Sequence, residues 1–399
     1  MPRYMTITAP GRVILLIAAV KFVYILDFMM LMPLGPDLSR ALGFPAERLG
    51  WLSAAYTAAS MLAGIVAVRW LDRFDRKPVF LLFWGLLVLA TAATALATDM
   101  TQLLLLRAFT GLVGSPAVAL GMAIVIDCIP LPQRGRAIGK VMIGFSLAAV
   151  LGIPLALELA RLGDWRSPFW LVALGAMLVW FAALVILPDL NAHRADAGAD
   201  EVSPLSLLRQ PAVRKACLIQ AGSQFSAFLI VPHFSAFFLL NLQFPREYLG
   251  SLYLAGGIAA LLMMQWLGRM TDSAGPARAV LIATACTVAG LTPWLGFASL
   301  PLLIPFVLFM AGNAGRNVSI AAVTSQVPAP HERAGYIALE GMVQDLAITA
   351  AALVASAILG SGSSGELTHT TPLAVLAVGL TLSTLFALTR WQPALLRGN

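Results

Sequence analysis

Charged residues stand deep inside long apolar runs: Lys21 and Asp27 in the first run, Arg107 in the fourth, Arg316 in the tenth, and Glu340 and Asp345 in the eleventh. A charge at the bilayer centre costs roughly 2.5–3.5 kcal/mol on insertion scales, so each needs a compensating group or a use. Asp27 lies about seven residues below the outer end of its run and Arg107 about five below its own, which at ~1.5 Å per residue puts both ~7–11 Å inside. At matched depth the carboxylate can pair with the guanidinium, and protonation of the acid would release it. The competing reading is a permanent structural ion pair. Arg316 and Asp345 both fall near the middle of their runs. They form a candidate second pair or substrate contact, with Glu340 within two turns of Asp345 or at the inner interface. Lys21 occupies a different helical face from Asp27 and either snorkels to the inner surface, bridges an acid or meets an anionic substrate group. His233 follows Pro232 and is either a proton relay or a structural histidine at a proline kink. Aromatic and methionine residues in the first and seventh runs suit either a permissive ligand surface or helix packing and lipid contact.

The elements that must hold these residues are membrane helices. Hydrophobic residues make up 59% of the chain and charged residues 11%, with a mean hydropathy of +0.86. Soluble domains carry roughly 25% charged residues, so this chain buries most of its surface in lipid. Lipid leaves only helices or closed barrels as spanning structures, and the runs lack the alternation of barrel strands. About twelve runs reach the ~20 residues a spanning helix needs. They fall near 12–34, 49–70, 78–97, 102–126, 137–159, 168–187, 214–241, 248–267, 279–298, 301–326, 335–360 and 371–390. The first run reads as an uncleaved insertion signal. The longest polar interval, 188–213, separates an N-terminal six-helix bundle (1–187) from a C-terminal one (214–399). It reads as a cytoplasmic linker with an interfacial helix near 204–210.

Charge sets the expected orientation. With both termini cytoplasmic, the inner loops hold most of the Lys and Arg, and the outer loops hold only Arg40, Arg48, Arg161, Arg166 and Arg246. The net charge of +7 is therefore spread between apolar runs and forms no basic face for nucleic acid. Three scattered cysteines give no disulfide framework or metal spacing. No phosphate loop or nucleophile motif is present, so the expectation is no enzyme, no cofactor and no metal.

Two tandem motifs carry a family resemblance. The loop after the second run reads VRWLDRFDRK, with Asp72, Arg73, Arg76 and Lys77 placed as in the signature loop of the major facilitator superfamily. The second half repeats it about 200 residues on as GRMTDSAGPAR, with Asp272 and Arg278 in the corresponding places. Physically this cluster is a candidate cytoplasmic gate, in which an acid pairs with neighbouring basic groups and a helix N-terminus. The competing reading is charges that only anchor loops. The fourth run, LLLLRAFTGLVG, resembles the antiporter signature of that family through Arg107 and Gly111. The fifth, GFSLAAVLGIPLALEL, resembles its helix-packing motif, with Gly152 and Pro154 separated by one residue. The chain thus resembles the twelve-span drug:proton antiporters, including arabinose-efflux-permease-like proteins. The resemblance implies an all-α major facilitator fold of two pseudo-symmetric bundles and a monomer in the bacterial inner membrane. It implies proton-coupled efflux of a small amphipathic compound, with Asp27 and Arg107 in proton coupling. The alternative is a proton symporter or uniporter that imports a sugar, metabolite or siderophore-like nutrient.

Overall fold

The computed structural model describes residues 10–70, 74–130, 133–188, 204–297, 300–329 and 332–395. Among them nearly all regular structure is helical, because each apolar run satisfies its backbone groups internally. The spanning segments are α1 (Pro10–Met29), α3 (Leu49–Trp70), α4 (Arg76–Thr94), α5 (Met100–Cys128) and α6 (Arg134–Leu147) with its continuation α7 (Ile153–Leu162). They continue with α8 (Ser167–Ile186), α9 (Pro211–Phe228), α11 (Leu249–Ala274), α12 (Pro276–Gly290), α13 (Leu303–Thr324), α14 (Arg333–Ile358) and α15 (Thr370–Leu395). Two short helices lie between them, α2 (Gly35–Leu42) and α10 (Phe234–Ala236). Ten of the described segments are long and apolar enough to cross a membrane. α1 also has the length but carries Arg12, Lys21 and Asp27, and α12 has only 15 residues.

Most sequence-based spans coincide with these helices to within a few residues. α11 runs on to Ala274 rather than ending near 267, and α12 stops at Gly290 rather than near 298, before a 3₁₀ turn (Thr292–Leu295) that contains Pro293. Other departures fall at proline. α1 stops at Met29 rather than near 34, because Pro33 cannot donate a backbone hydrogen bond and disfavours helix before it. The seventh run breaks after Phe228. Around Pro232 it becomes a 3₁₀ turn (Val231–His233), then α10, then a π-turn (Phe237–Asn241). In the fifth run a π-turn (Ala148–Gly152) joins α6 to α7, where Pro154 again lacks a donor and the ladder widens by one residue. In the linker, Pro204–Arg209 forms a 3₁₀ helix, and residues 189–203 lie outside the described part. Capping is local: Asp75 accepts from the Lys77 N–H at 3.1 Å to start α4, and Asp99 accepts from the Gln102 N–H at 2.9 Å to start α5.

Contacts divide the chain into two compact units. One comprises Met1–Phe44 and Ala55–Asp200, the other Pro45–Ala54 and Glu201–Asn399. In the first unit α1 packs on α5, α6 and α8, and α4 packs on α5 and α8. Close approach is set by glycine. A side chain at Gly111 would run into the Tyr56 backbone oxygen, and one at Gly152 would meet Leu26 Cδ1 at 2.8 Å. Small residues let membrane helices come this near. In the second unit α13 packs between α11 and α12, and α9 packs on α13, α14 and α15. Its core is aromatic. Phe234 meets Phe309 edge-on with centroids 4.7 Å apart, and Phe237 stacks on Trp294 at 4.1 Å. Phe234, Phe237 and Phe238 are buried, so these residues of the seventh run serve helix packing. A two-stranded hairpin (Gly360–Ser361 with Leu367–Thr368) links α14 to α15, and Asn241 makes two hydrogen bonds to the Leu367 backbone.

Candidate functional site

Asp27 sits in the last turn of α1, where backbone carbonyls lose their intrahelical donors. Arg107, in the second turn of α5, reaches both groups that this position offers. Its Nη1 donates to Asp27 Oδ2 at 2.9 Å and its Nη2 to the Asp27 carbonyl at 3.2 Å. The guanidinium therefore neutralises the carboxylate and also caps α1 at its negative end, where a cation is favoured. The two side chains are 0% and 1% exposed. The Thr91 hydroxyl of α4 donates to the other carboxylate oxygen at 3.2 Å. The Tyr56 ring of α3 lies 4.7 Å from the guanidinium carbon and packs on Phe28 at 4.9 Å. Four helices thus enclose one ion pair, and neither charged side chain reaches the surface. An ion pair in this setting is strong only while both partners stay charged, because removing one leaves an uncompensated buried charge.

Sequence reasoning placed Asp27 and Arg107 at matching depth but did not single out Thr91 or Tyr56. Threonines and tyrosines are common in membrane helices, and nothing at one position of α3 or α4 marks the side chain that will face another helix. The spacing of Thr91 and Thr94, one turn apart on α4, is the faint signal available. Both are buried.

Arg316 and Asp345 do not form an ion pair. Arg316 is fully buried and takes neutral partners: its Nη1 donates to Thr381 Oγ1 at 2.9 Å, and its Nη2 to the Ser223 carbonyl at 2.9 Å and to Asn313 Oδ1 at 3.2 Å. Rough depth along two helices cannot fix which faces meet, and α13 turns this side chain toward α9 and α15. Asp345 is half-buried on α14, and its carbonyl accepts from the Thr349 hydroxyl at 2.8 Å. Glu340, half-buried, accepts from the Thr324 hydroxyl at 3.4 Å. Lys21 has no carboxylate within 4.0 Å among the described residues, and its ammonium lies 6.0 Å from the Tyr24 ring. His233 is fully buried in the 3₁₀ turn beside the Ala46 backbone, and neither ring nitrogen makes a hydrogen bond of standard geometry.

Of the candidate gate, Asp72 and Arg73 lie outside the described residues, as does the side chain of Asp272. Arg76 pairs with Asp127 at 2.8 Å, with side chains 12% and 26% exposed. Asp127 was not among the sequence candidates; its signal is an acid in the last turn of α5, directly before the IPLPQRGRA loop. Lys77 is half-buried in the first turn of α4, and Arg278 is exposed in the first turn of α12.

A bundle of apolar helices that buries an ion pair between α1 and α5 defines an all-α, multi-pass membrane protein. Residues 17–352 match the Major Facilitator Superfamily, and the chain belongs to that family of transporters. It is similar to a probable sugar efflux transporter of Helicobacter acinonychis, at 22% identity over 71% of this chain and 72% of that one. It is also similar to a chloramphenicol resistance protein of Streptomyces lividans, at 26% identity over 85% and 87%. Among solved structures, a D-xylose-proton symporter superposes with a TM-score of 0.77 at 13% identity, covering 94% of this chain and 96% of that one. A nucleoside transporter superposes at 0.74, with 13% identity over 95% and 99%. At such identities the superpositions establish the major facilitator fold alone. The chain is therefore a transporter whose sequence relatives include efflux proteins.

Proposed function

We propose that this chain is a proton-coupled exporter of small amphipathic organic compounds, and that Asp27 carries the coupled proton. The observation that supports this best is the isolated Asp27–Arg107 pair, with Thr91 and Tyr56 closing its remaining sides. When Asp27 takes a proton, its oxygen no longer holds the guanidinium by charge. Arg107 keeps the Asp27 carbonyl and the Tyr56 ring, and is left with an exposed demand for negative charge. α1 and α5 then have two arrangements of different energy, and proton and substrate shift the balance between them. Export is favoured by the kind of relatives the sequence has, a sugar efflux transporter and a chloramphenicol resistance protein. The proposed setting is the bacterial inner membrane, with both termini cytoplasmic, a monomeric transporter, and protons, a small molecule and the lipid bilayer as its partners. Asp127, paired with Arg76, extends the candidate cytoplasmic gate of Asp72, Arg73, Arg76, Lys77, Asp272 and Arg278.

The test is proton movement in inside-out vesicles with an acid interior, followed with a pH-sensitive dye as a panel of neutral and acidic amphipathic compounds is added. The expected result is dequenching with the intact protein and none above empty vesicles for Asp27→Asn or Arg107→Ala. Full gradient-driven transport in Asp27→Asn would rule out Asp27 as the proton carrier. A second reading, import, is favoured by one feature: Ile153 separates Gly152 from Pro154 in the segment where exporters of this family carry Gly-Pro directly. Accumulation rather than depletion of labelled substrate in intact cells would establish it.

A further inference from the structure

We infer that Arg316 is the recognition point for an acidic group on the transported molecule, so that the substrate is an organic anion bearing a carboxylate or a comparable oxyanion. The inference deepens the transport reading above and rests on it. It starts from the contrast between the two arginines buried within the spans. Arg107 has a carboxylate at 2.9 Å, whereas Arg316, equally buried, has none within 4.0 Å among the described residues. A guanidinium stays charged at any physiological pH and presents five donors. Here the acceptors are a hydroxyl (Thr381), an amide oxygen (Asn313) and a backbone carbonyl (Ser223). These groups supply partial charges only, and the Ser223 carbonyl is shared with the Ser226 hydroxyl at 3.0 Å.

A full charge held this way in a low-dielectric interior is a standing demand for a counter-ion. Among the described residues there is no permanent one. What the fold supplies is a replaceable acceptor: Asn313, half-buried at one turn's distance on α13, makes the longest of the three bonds at 3.2 Å. Beside it, half-buried Asn317 accepts from the Ser223 hydroxyl at 3.2 Å. An incoming carboxylate that displaces the Asn313 amide would meet the guanidinium fork, which suits two oxygens at once, and would have the two asparagine amides as further donors. A neutral compound could not meet the charge.

The experiment is thermal unfolding of the purified full-length protein in detergent, with chloramphenicol and its carboxylate-bearing succinate ester, and benzoate and benzamide, as matched acid and neutral probes at constant ionic strength. The wild type should bind at least one acid about ten- to hundredfold tighter than its neutral match, the span expected for a charge-assisted hydrogen bond. Arg316→Gln should lose that preference. Because this variant can fold poorly, Asn313→Asp gives an independent reading. It places a permanent carboxylate where the amide oxygen now sits 3.2 Å from Nη2. It should raise the melting temperature without ligand and abolish stabilisation by acids. Equal response to acids and neutral matches in the wild type, or an undiminished acid preference in Asn313→Asp, would overturn the proposal. Binding is read without a gradient, so that failure leaves the antiport reading standing, whereas loss of proton coupling alone leaves this one standing.

Discussion

At the residue scale, the Asp27 site depends on one guanidinium serving three neighbours: a carboxylate, a helix-end carbonyl and an aromatic face. The carboxylate contributes charge, the carbonyl fixes the depth at which α5 meets α1, and Tyr56 covers the side that would otherwise lack a partner. Cation–π contacts in desolvated positions are worth about 2 kcal/mol. Tyr56→Phe keeps the ring face and should melt within a degree or two of the wild type, whereas Tyr56→Leu should lose about 1–2 kcal/mol, read as a lower melting temperature in detergent. Equal melting of the Phe and Leu variants would assign Tyr56 a packing role only. The sequence showed the acid and the base because charges in apolar runs stand out. It could not show Thr91 or Tyr56, since their importance lies in the direction they face.

At the element scale, glycine and proline decide how closely helices meet and where they bend. α3 and α5 touch at Gly111, where a methyl group would overlap the Tyr56 backbone oxygen. Gly139 lies on α6 with nothing within 4 Å of its missing side chain. Gly111→Ala should therefore destabilise by about 1–3 kcal/mol through overpacking. Gly139→Ala should be neutral or stabilise by up to about 1 kcal/mol through helix propensity. Thermal melts of the two variants side by side check this, and an unaffected Gly111→Ala protein would mean that α3 and α5 are free to separate. The same position also supports Tyr56, so Gly111→Ala should weaken the ion-pair site as well as the fold. Proline explains most of the departures from the expected spans. Hydropathy counts Pro232 and Pro33 inside apolar runs, whereas the backbone registers them as missing donors.

At the scale of the whole molecule, the unequal distribution of Lys and Arg makes an orientation testable. Under the positive-inside rule the hairpin between α14 and α15 faces outward and the start of α6 faces inward. A single cysteine at Ser363, in that hairpin, should react with a membrane-impermeant maleimide in intact cells. One at Arg136, in the first turn of α6, should react only after permeabilisation. The native thiols Cys128 and Cys217 are buried and Cys286 is partly so, which keeps their background low once Cys286 is replaced. Labelling of Arg136→Cys from outside would invert the topology and, with it, the direction assigned to the proton.

By itself the sequence determined the solvent this protein lives in, the number and approximate limits of its spanning segments, the tandem repeat and the identity of the charges that need explaining. These follow from local composition: an apolar run of sufficient length has few structural options in lipid, and a charge inside it is conspicuous wherever the helix ends up. Only the tertiary structure decided which charges meet. Asp27 and Arg107 pair because the end of α1 brings carboxylate and carbonyl to the same guanidinium, and Arg76 finds Asp127 at the end of α5. Arg316, at a depth similar to that of Asp345, turns instead to Thr381, Ser223 and Asn313. Depth along a helix is written in residue number, but the direction a side chain faces depends on how neighbouring helices rotate and cross, and that is fixed by packing across the whole bundle.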